Sequence, residues 1–152
     1  FSSFSILTAA VYAGIADRAL EMSAEAAARA VPGGADVATR LDDPDVAARL
    51  TSAVLSHRES LDTLTLLARD IDEQRARGDW FLALAAARNR VTDEARSAVD
   101  TAMRLVGARG FQADSELARL YRDVLAGMFH PSSSRALAST VVSFRSPQHF
   151  CP

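Results

Sequence analysis

Apolar residues recur every three to four positions along most of the chain, which is the spacing of amphipathic helices. The first segment, Ser5 to about Val31, has an apolar face rich in small side chains: Ile6, Ala9, Ala10, Ala13, Ala16, Leu20 and Ala24. Small side chains let helices approach closely, and we expect Gly14 to lie in such a contact. The pattern predicts one long helix that ends at Pro32-Gly33-Gly34.

Two further long helices follow. Asp43 before Pro44 is a favoured start, so the second helix is predicted from Pro44 to about Arg77, where Gly78 stops it. Its apolar positions are Val46, Leu50, Ala53, Val54, Leu61, Leu64, Leu67 and Ile71. The third helix is predicted from Trp80, after Asp79 as its cap, to about Val106. Its apolar positions are Phe81, Leu84, Val91, Ala95, Ala98, Ala102 and Leu105.

The remainder of the chain predicts two shorter helices. One begins after Asp114 or Ser115 and ends before Pro131, and the last runs from about Ser132 to Phe144. No strand pattern, internal repeat or domain boundary is visible. Long helices joined by short breaks predict an all-α fold, an antiparallel up-down helical bundle over residues 1–145 with a tail at 146–152.

Composition excludes several classes of function. The chain has 152 residues, a net charge of −2 and no basic stripe, which argues against nucleic-acid binding. It has no apolar run of 18 residues and no signal-peptide pattern, so we expect no membrane contact and a cytoplasmic location. A single cysteine, Cys151, excludes a disulfide framework, and no His, Cys or Glu spacing indicates a metal site. The first residue is not methionine, and we expect a fragment or a processed chain.

Three motifs stand in a recognisable order. They are Tyr12-Ala13-Gly14-Ile15-Ala16, the turn Gly107-Ala108-Arg109-Gly110-Phe111, and a helix with Leu117, Arg119, Leu120, Arg122 and Asp123. Together they resemble the Y-x-G-x-A, GG-x-G-[FY] and L-x-R-x-x-RD motifs of the acyl-CoA dehydrogenase superfamily, in its C-terminal helical domain. Ala108 stands where the family has the second glycine. Arg122 and Asp123 are expected in a buried network with other helices.

The resemblance implies a flavin cofactor. In this family FAD lies between the C-terminal domain and two others, an N-terminal helical and a middle β domain, which this chain lacks, so the isolated chain is expected to be inactive. The residues expected to contact the flavin are Arg104, Gly107, Ala108, Gly110 and Phe111. Arg104 could pair with a phosphate or could be an ordinary exposed arginine at a helix end. Gly107 could equally be a left-handed helix cap.

His130 is the expected catalytic residue. Counting from the Arg-Asp pair, it falls where typical members of the family carry the glutamate that removes the substrate's α-proton. Histidine there resembles the flavin-dependent monooxygenases of the same fold, because an imidazole can take up or donate a proton near neutral pH. His130 could instead simply end a helix before Pro131. His57 and His149 have no partner pattern.

A further departure concerns the loop after the first helix. Many members carry R-x-x-F-G there, whose Arg and Phe contact the FAD of the neighbouring subunit. Arg29 is followed here by Ala30-Val31-Pro32-Gly33, without the phenylalanine. The usual FAD contact is therefore in question, and FMN is the alternative cofactor.

Three functions remain open at this stage. The chain could be the C-terminal domain of an acyl-CoA dehydrogenase-like oxidoreductase, forming one wall of the flavin and substrate pocket. It could belong to a reduced-flavin-dependent monooxygenase that acts on a small molecule, with His130 in the catalytic site. It could be a non-catalytic oligomerisation module. Under all three readings the resemblance implies a homo-oligomer, a dimer or tetramer assembled through the bundle.

Overall fold

The computed structural model describes residues 2–31, 39–129, 137–138 and 141–142. The four α-helices found there are α1 (Ser2–Ala27), α2 (Pro44–Asp72), α3 (Trp80–Val106) and α4 (Glu116–Leu125). Short 3-10 turns cover Arg40–Asp42, Gly107–Phe111 and Ala126–Phe129. Within these described ranges the extended structure is limited to one antiparallel bridge between Ala30 and Thr39. The predicted all-α bundle is confirmed.

Small side chains form the closest packing in the core. Helices α1 and α3 share the most extensive contact, and the alanines between them are fully or almost fully buried: Ala9, Ala16, Ala95, Ala98 and Ala102. The predicted small-residue face of α1 is thus confirmed at Ala9, Ala13, Ala16 and Leu20, but the role given to Gly14 is wrong. Gly14 is exposed, and no heavy atom lies within 4 Å of the position a β-carbon would take. The alanines, and not the glycine, set the close approach of the two helices.

Helix α4 closes the core near the end of α1. Its buried residues Leu117, Leu120 and Val124 pack into the main cluster. Arg18 of α1 donates two hydrogen bonds to the Glu116 carboxylate, from Nε and Nη2, at 3.0 Å each. These bonds hold the pKa of Glu116 below its usual value. The pair fixes the start of α4 against α1.

Two helix ends differ from the sequence prediction. Helix α1 ends at Ala27, four residues before the predicted Val31. Helix α2 ends at Asp72, where the sequence suggested Arg77. Gln74 adopts a positive φ of 52°, which ends the helical hydrogen-bonding pattern well before Gly78. The start at Pro44 after the Asp43 cap, and both ends of α3, are confirmed.

Four residues predicted to face the core are exposed instead: Ala10 and Ala24 of α1, Val54 of α2 and Phe81 of α3. Val54 lies between the inward positions Ala53 and His57 of α2, so it turns toward solvent. Phe81, in the first turn of α3, is exposed, and its neighbour Trp80 packs against the core there instead. Residues that recur every three to four positions therefore include some at the edge of the helix face, and the bundle leaves these exposed.

The C-terminal part of the chain is described only in part. The turn Ala126–Phe129 follows α4, and residues 137, 138, 141 and 142 of the predicted last helix are helical. His130 and the predicted tail at 146–152 lie outside the described residues. In the part of the chain that is described, no helix combines the length and apolarity needed to cross a membrane.

Candidate functional site

The glycine turn after α3 is built by one unusual backbone conformation. Gly107 caps α3 with φ 74° and ψ −153°, and its N–H donates to the carbonyl of Met103. A side chain would be strained at this φ, because L-residues rarely occupy this region. The chain then continues as the 3-10 turn Gly107–Phe111. Gly107 therefore ends α3 and begins the turn, as the sequence predicts.

A cleft of about 480 Å³ opens beside this turn. We call it the arginine cleft, because Arg29, Arg40 and Arg109 all line it. Its other walls are the end of α1 and the residues from Leu105 to Ala108. Among the described residues that line it there is no carboxylate. Three cations around one cavity, beside exposed backbone, form an environment that favours an anion.

Arg40 reaches the cleft from a separate segment. Its guanidinium Nη1 donates to the carbonyl of Leu105 at 2.5 Å, across 65 positions of sequence. The short turn that carries Arg40 is held by Asp42, whose Oδ2 accepts from the backbone N–H and the hydroxyl of Thr39 at 2.7 and 3.1 Å. The side chain is thus fixed at both ends, and it satisfies one of the last carbonyls of α3.

A second cleft of about 470 Å³ lies on the other side of Arg40. It is lined by both signs of charge: Arg40, Arg49, Arg104, Asp43 and Asp45, with Val46 and Leu105. Arg104 is exposed and its Nε donates to Asp100 at 2.8 Å, so its charge is partly neutralised. Arg104 is thus an exposed helix-end arginine that also lines this second cleft, and its pairing with a phosphate stays a prediction.

The remaining residues of the turn occupy different environments. Gly107 and Ala108 line the arginine cleft. Gly110 is buried beneath it, where a β-carbon would lie 3.0 Å from Cδ2 of Leu117. Phe111 is 74 % exposed and lines neither cleft. The structure therefore brings Gly107 and Ala108 together with Arg29, while Phe111 projects away from them.

The segment that leads to His130 packs tightly although His130 itself is not described. A β-carbon at Gly127 would lie 2.2 Å from Cγ2 of Thr92 and 3.2 Å from the Tyr12 ring. Burial raises the pKa of the Tyr12 phenol, and the charge of Asp123 raises it further. Tyr12, from the Y-x-G-x-A motif, thus lies directly beneath the approach to the predicted catalytic residue.

A second cluster of polar groups has no signal in the sequence. His57 is buried, and its two ring nitrogens face carboxylates of Asp17 and Glu94 at 3.0 and 3.1 Å. These partners are 37 and 40 positions away, so no local spacing could reveal them. Across the described ranges no group of His, Cys, Asp and Glu side chains is arranged to hold a metal ion.

The Arg-Asp pair of α4 does not lie in a buried network. Arg122 and Asp123 are both exposed, so that prediction is wrong. The ten-residue helix α4 buries Leu117, Ala118, Leu120 and Val124 instead, and the charged pair falls on its outer face. The charge of Asp123 adds to the effect of burial in raising the pKa of the Tyr12 phenol.

Comparison with known protein families and sequences gives a consistent result. The profile described as "Acyl-CoA dehydrogenase, C-terminal domain" matches residues 2–130. The chain is 31% identical over 128 residues to YdbM of Bacillus subtilis (strain 168), which is named as a candidate acyl-CoA dehydrogenase. It is 34% identical over 130 residues to the amino sugar nitrososynthase DnmZ of Streptomyces peucetius. Each match covers 84% of this chain, but the chain spans only about a third of either relative, 33% and 32%.

Solved structures share the fold. An acyl-CoA dehydrogenase from Geobacillus kaustophilus superposes with a TM-score of 0.82 at 14% identity, over 94% of this chain and 36% of its own. A nitroalkane oxidase active-site mutant crystallised with 1-nitrohexane superposes with a TM-score of 0.81 at 18% identity, over 96% of this chain and 35% of its own. With the profile match over most of its length, the chain belongs to the acyl-CoA dehydrogenase family and corresponds to its C-terminal domain.

Proposed function

We propose that this chain forms one wall of the flavin pocket in a flavin-dependent oxidoreductase, and that the arginine cleft binds a phosphate of the flavin nucleotide. The observation that carries the proposal is the convergence of Arg29, Arg40 and Arg109 on one cavity without a carboxylate among its described lining residues. The three side chains come from three separate segments, so local sequence alone does not explain their meeting. A phosphate is the anion that flavin nucleotides would bring to such a cleft.

The residues present fit a bound nucleotide in other respects as well. Gly107 and Ala108 line the cleft, and their small size leaves room for a ligand. Arg40 is held by the Leu105 carbonyl, so its charge is positioned before any ligand arrives. When bound, a flavin supplies the electron-accepting or oxygen-activating chemistry, and the role of these residues is to bind and orient it. We propose FAD, with FMN as the alternative.

The chain spans about a third of its relatives, so a complete pocket needs further walls. We propose that domains equivalent to the remainder of those relatives supply them. The test is best made on the protein at its natural length. There, Arg109→Ala is expected to weaken FMN and FAD binding about tenfold, because a hydrogen bond to a charged group contributes at least about 1.5 kcal/mol.

Riboflavin provides the internal control, because it has the flavin ring but no phosphate. Its affinity should be the same in the Arg109→Ala protein and in the unsubstituted one. Arg58→Ala removes an exposed arginine of α2 that pairs with Asp62 at 3.5 Å and lines neither cleft, and it should change none of the three affinities. Equal weakening of riboflavin and FMN, measured by quenching of flavin fluorescence, would show that Arg109 does not bind the phosphate.

The substrate class has two candidates. Dehydrogenation of an acyl-CoA is the first, by membership of the family. Oxygenation of a small molecule with reduced flavin is the second, favoured by His130 at the place of the family's base and by the 34% identity to an amino sugar nitrososynthase. Anaerobic bleaching of bound flavin by acyl-CoA supports the first. Oxygen consumption that depends on a small amine, sulfur or aromatic substrate supports the second.

We further propose that the bundle assembles the protein into a dimer or tetramer. Large apolar side chains remain exposed on the outer side of α2, at Val54, Leu55 and Leu66. Burying such residues between subunits would remove apolar surface from water. Sedimentation equilibrium at micromolar concentration should show a species of two or four chains. A monomer at all concentrations would contradict the assembly.

A further inference from the structure

One cluster, built around a buried histidine, takes no part in the proposed flavin site. His57 of α2 lies between Asp17 of α1 and Glu94 of α3, and it contacts one carboxylate through each ring nitrogen. Nε2 is 3.0 Å from Oδ1 of Asp17, and Nδ1 is 3.1 Å from Oε2 of Glu94. The imidazole is therefore the bridge at which the three long helices meet. Because the carboxylates face opposite edges of the ring, they do not converge on a common point as metal ligands would.

The geometry requires two hydrogens in this cluster. Each N···O contact is short enough to be a hydrogen bond, and each needs a hydrogen between its two atoms. An ionised carboxylate has none to give, and a neutral imidazole has only one. The second hydrogen must come either from a protonated imidazole or from one protonated carboxyl, that of Glu94 or that of Asp17. In both cases the folded cluster holds one proton more than a neutral histidine between two ionised carboxylates.

The surroundings favour keeping that proton at the Glu94 side. The side chain of Asp17 is 70% exposed, so water stabilises its charge, whereas the side chain of Glu94 is only 7% exposed. Burial raises the pKa of Glu94, while its hydrogen bond with His57 and the charges of His57 and Arg90 act in the opposite direction. Arg90 is itself exposed and lies 3.4 Å from Glu59 of α2. An unshared negative charge at Glu94 would thus be costly in this position.

We propose that Asp17, His57 and Glu94 share one additional proton and act as a pH-dependent clamp that holds α1, α2 and α3 together. Once the proton leaves, one of the two contacts places a carboxylate against an imidazole lone pair. That repulsion weakens the junction of all three helices. The clamp is independent of flavin binding, since none of its residues lines the arginine cleft.

The direction of the pH dependence follows from the proton count. In the unfolded chain, histidine releases its proton near its ordinary pKa of about 6.5, and glutamate has done so near about 4.3. Above about pH 6.5 the folded cluster still holds a proton that the unfolded chain has lost. Stability then falls as pH rises, and the unfolding constant increases by up to about tenfold per pH unit until the cluster itself is deprotonated. A raised pKa at Glu94 acts in the same direction.

Glu94→Gln tests the clamp directly. A glutamine amide can donate permanently to Nδ1 while Nε2–H donates to Asp17, so the cluster is satisfied without the extra proton. Urea unfolding of the full chain should be measured between pH 6 and 9. In the unsubstituted protein the unfolding constant should rise by up to about tenfold per pH unit, and in Glu94→Gln this rise should be lost. The neighbouring Asp93→Asn is the matched control. Asp93 is an exposed carboxylate that pairs with Arg96 at 3.9 Å, and this variant should keep the full slope.

A second measurement reads the proton positions in the unsubstituted protein. Nitrogen-15 shifts of the His57 ring, assigned by comparison with His57→Gln, and the carboxyl carbon-13 shift of Glu94 report where the hydrogens lie. At pH 7.5 we expect either an imidazolium or a neutral ring beside a protonated Glu94. A neutral ring beside an ionised Glu94 at that pH, or identical pH slopes in the unsubstituted protein and Glu94→Gln, overturns the proposal.

Discussion

Leu117→Ala is expected to lower the free energy of unfolding by about 3 kcal/mol. Leu117 has no exposed surface and packs into the main core from α4. Truncating a fully buried leucine removes its transfer free energy and leaves a cavity, which together cost about 2–5 kcal/mol. The cavity would open directly beneath the glycine turn, because Leu117 also supports Gly110. Urea unfolding followed by circular dichroism measures the loss.

A double variant identifies the cause of that loss. A methyl group at Gly110 would lie 3.0 Å from Cδ2 of Leu117, so Gly110→Ala alone should destabilise by crowding. In the Leu117→Ala background the same methyl enters the vacated space. The two changes should therefore cost about 1 kcal/mol less together than the sum of their separate effects. Strict additivity would contradict the contact. Leu7→Ala, at a site 66% exposed on α1, should change stability by less than about 0.5 kcal/mol.

Gly127→Ala is expected to cost roughly 2–3 kcal/mol, near the upper range for overpacking in a well-packed core. The new methyl would overlap Cγ2 of Thr92 at 2.2 Å and crowd the Tyr12 ring at 3.2 Å. Thr92 cannot turn aside easily, because its hydroxyl donates to the carbonyl of Arg88 at 2.9 Å. Either the turn Ala126–Phe129 moves away from the bundle or α1 and α3 separate locally. Thermal unfolding should report the loss.

Removing the obstructing methyl should restore stability. Thr92→Ser keeps the hydroxyl and deletes Cγ2, so the Gly127→Ala and Thr92→Ser pair should be clearly more stable than Gly127→Ala alone. The matched control is Gly14→Ala. Gly14 lies inside α1 with open space around it, and alanine there should stabilise the helix by about 0.5–1 kcal/mol. If both glycine variants behave alike, the close packing at Gly127 is not the cause.

Local chemistry made much of the fold predictable. Helix α3 was placed correctly at both ends, because Asp79 precedes it and Gly107 adopts a conformation that favours glycine. The sequence predicts too long a helix α2, because Gly78 is a typical residue at which a helix stops. Asp70 draws Arg77 to within 3.4 Å, and the chain has already left the helix at Gln74. The contact between Asp70 and Arg77 joins side chains seven positions apart, and the periodicity of apolar residues does not predict it.

The candidate site was predictable only in its local part. The glycine turn is continuous in sequence, so its resemblance to the family motif singles out Gly107 and Ala108. Arg40 joins them through a hydrogen bond across 65 positions, and its own surroundings in sequence carry no motif. The cleft exists because the end of α1, the turn at Arg40 and the end of α3 meet at the same end of the bundle. Such a meeting is a property of tertiary packing.

The most direct test of the proposed function is whether the protein, at its natural length, binds flavin. We would record its visible absorption spectrum after purification, identify any flavin released on denaturation, and titrate the protein with FAD and FMN in oxidised and reduced form. The proposal predicts about one flavin nucleotide per chain, bound more tightly than riboflavin because of the arginine cleft. A protein that purifies without flavin and binds none of these nucleotides in excess would contradict it.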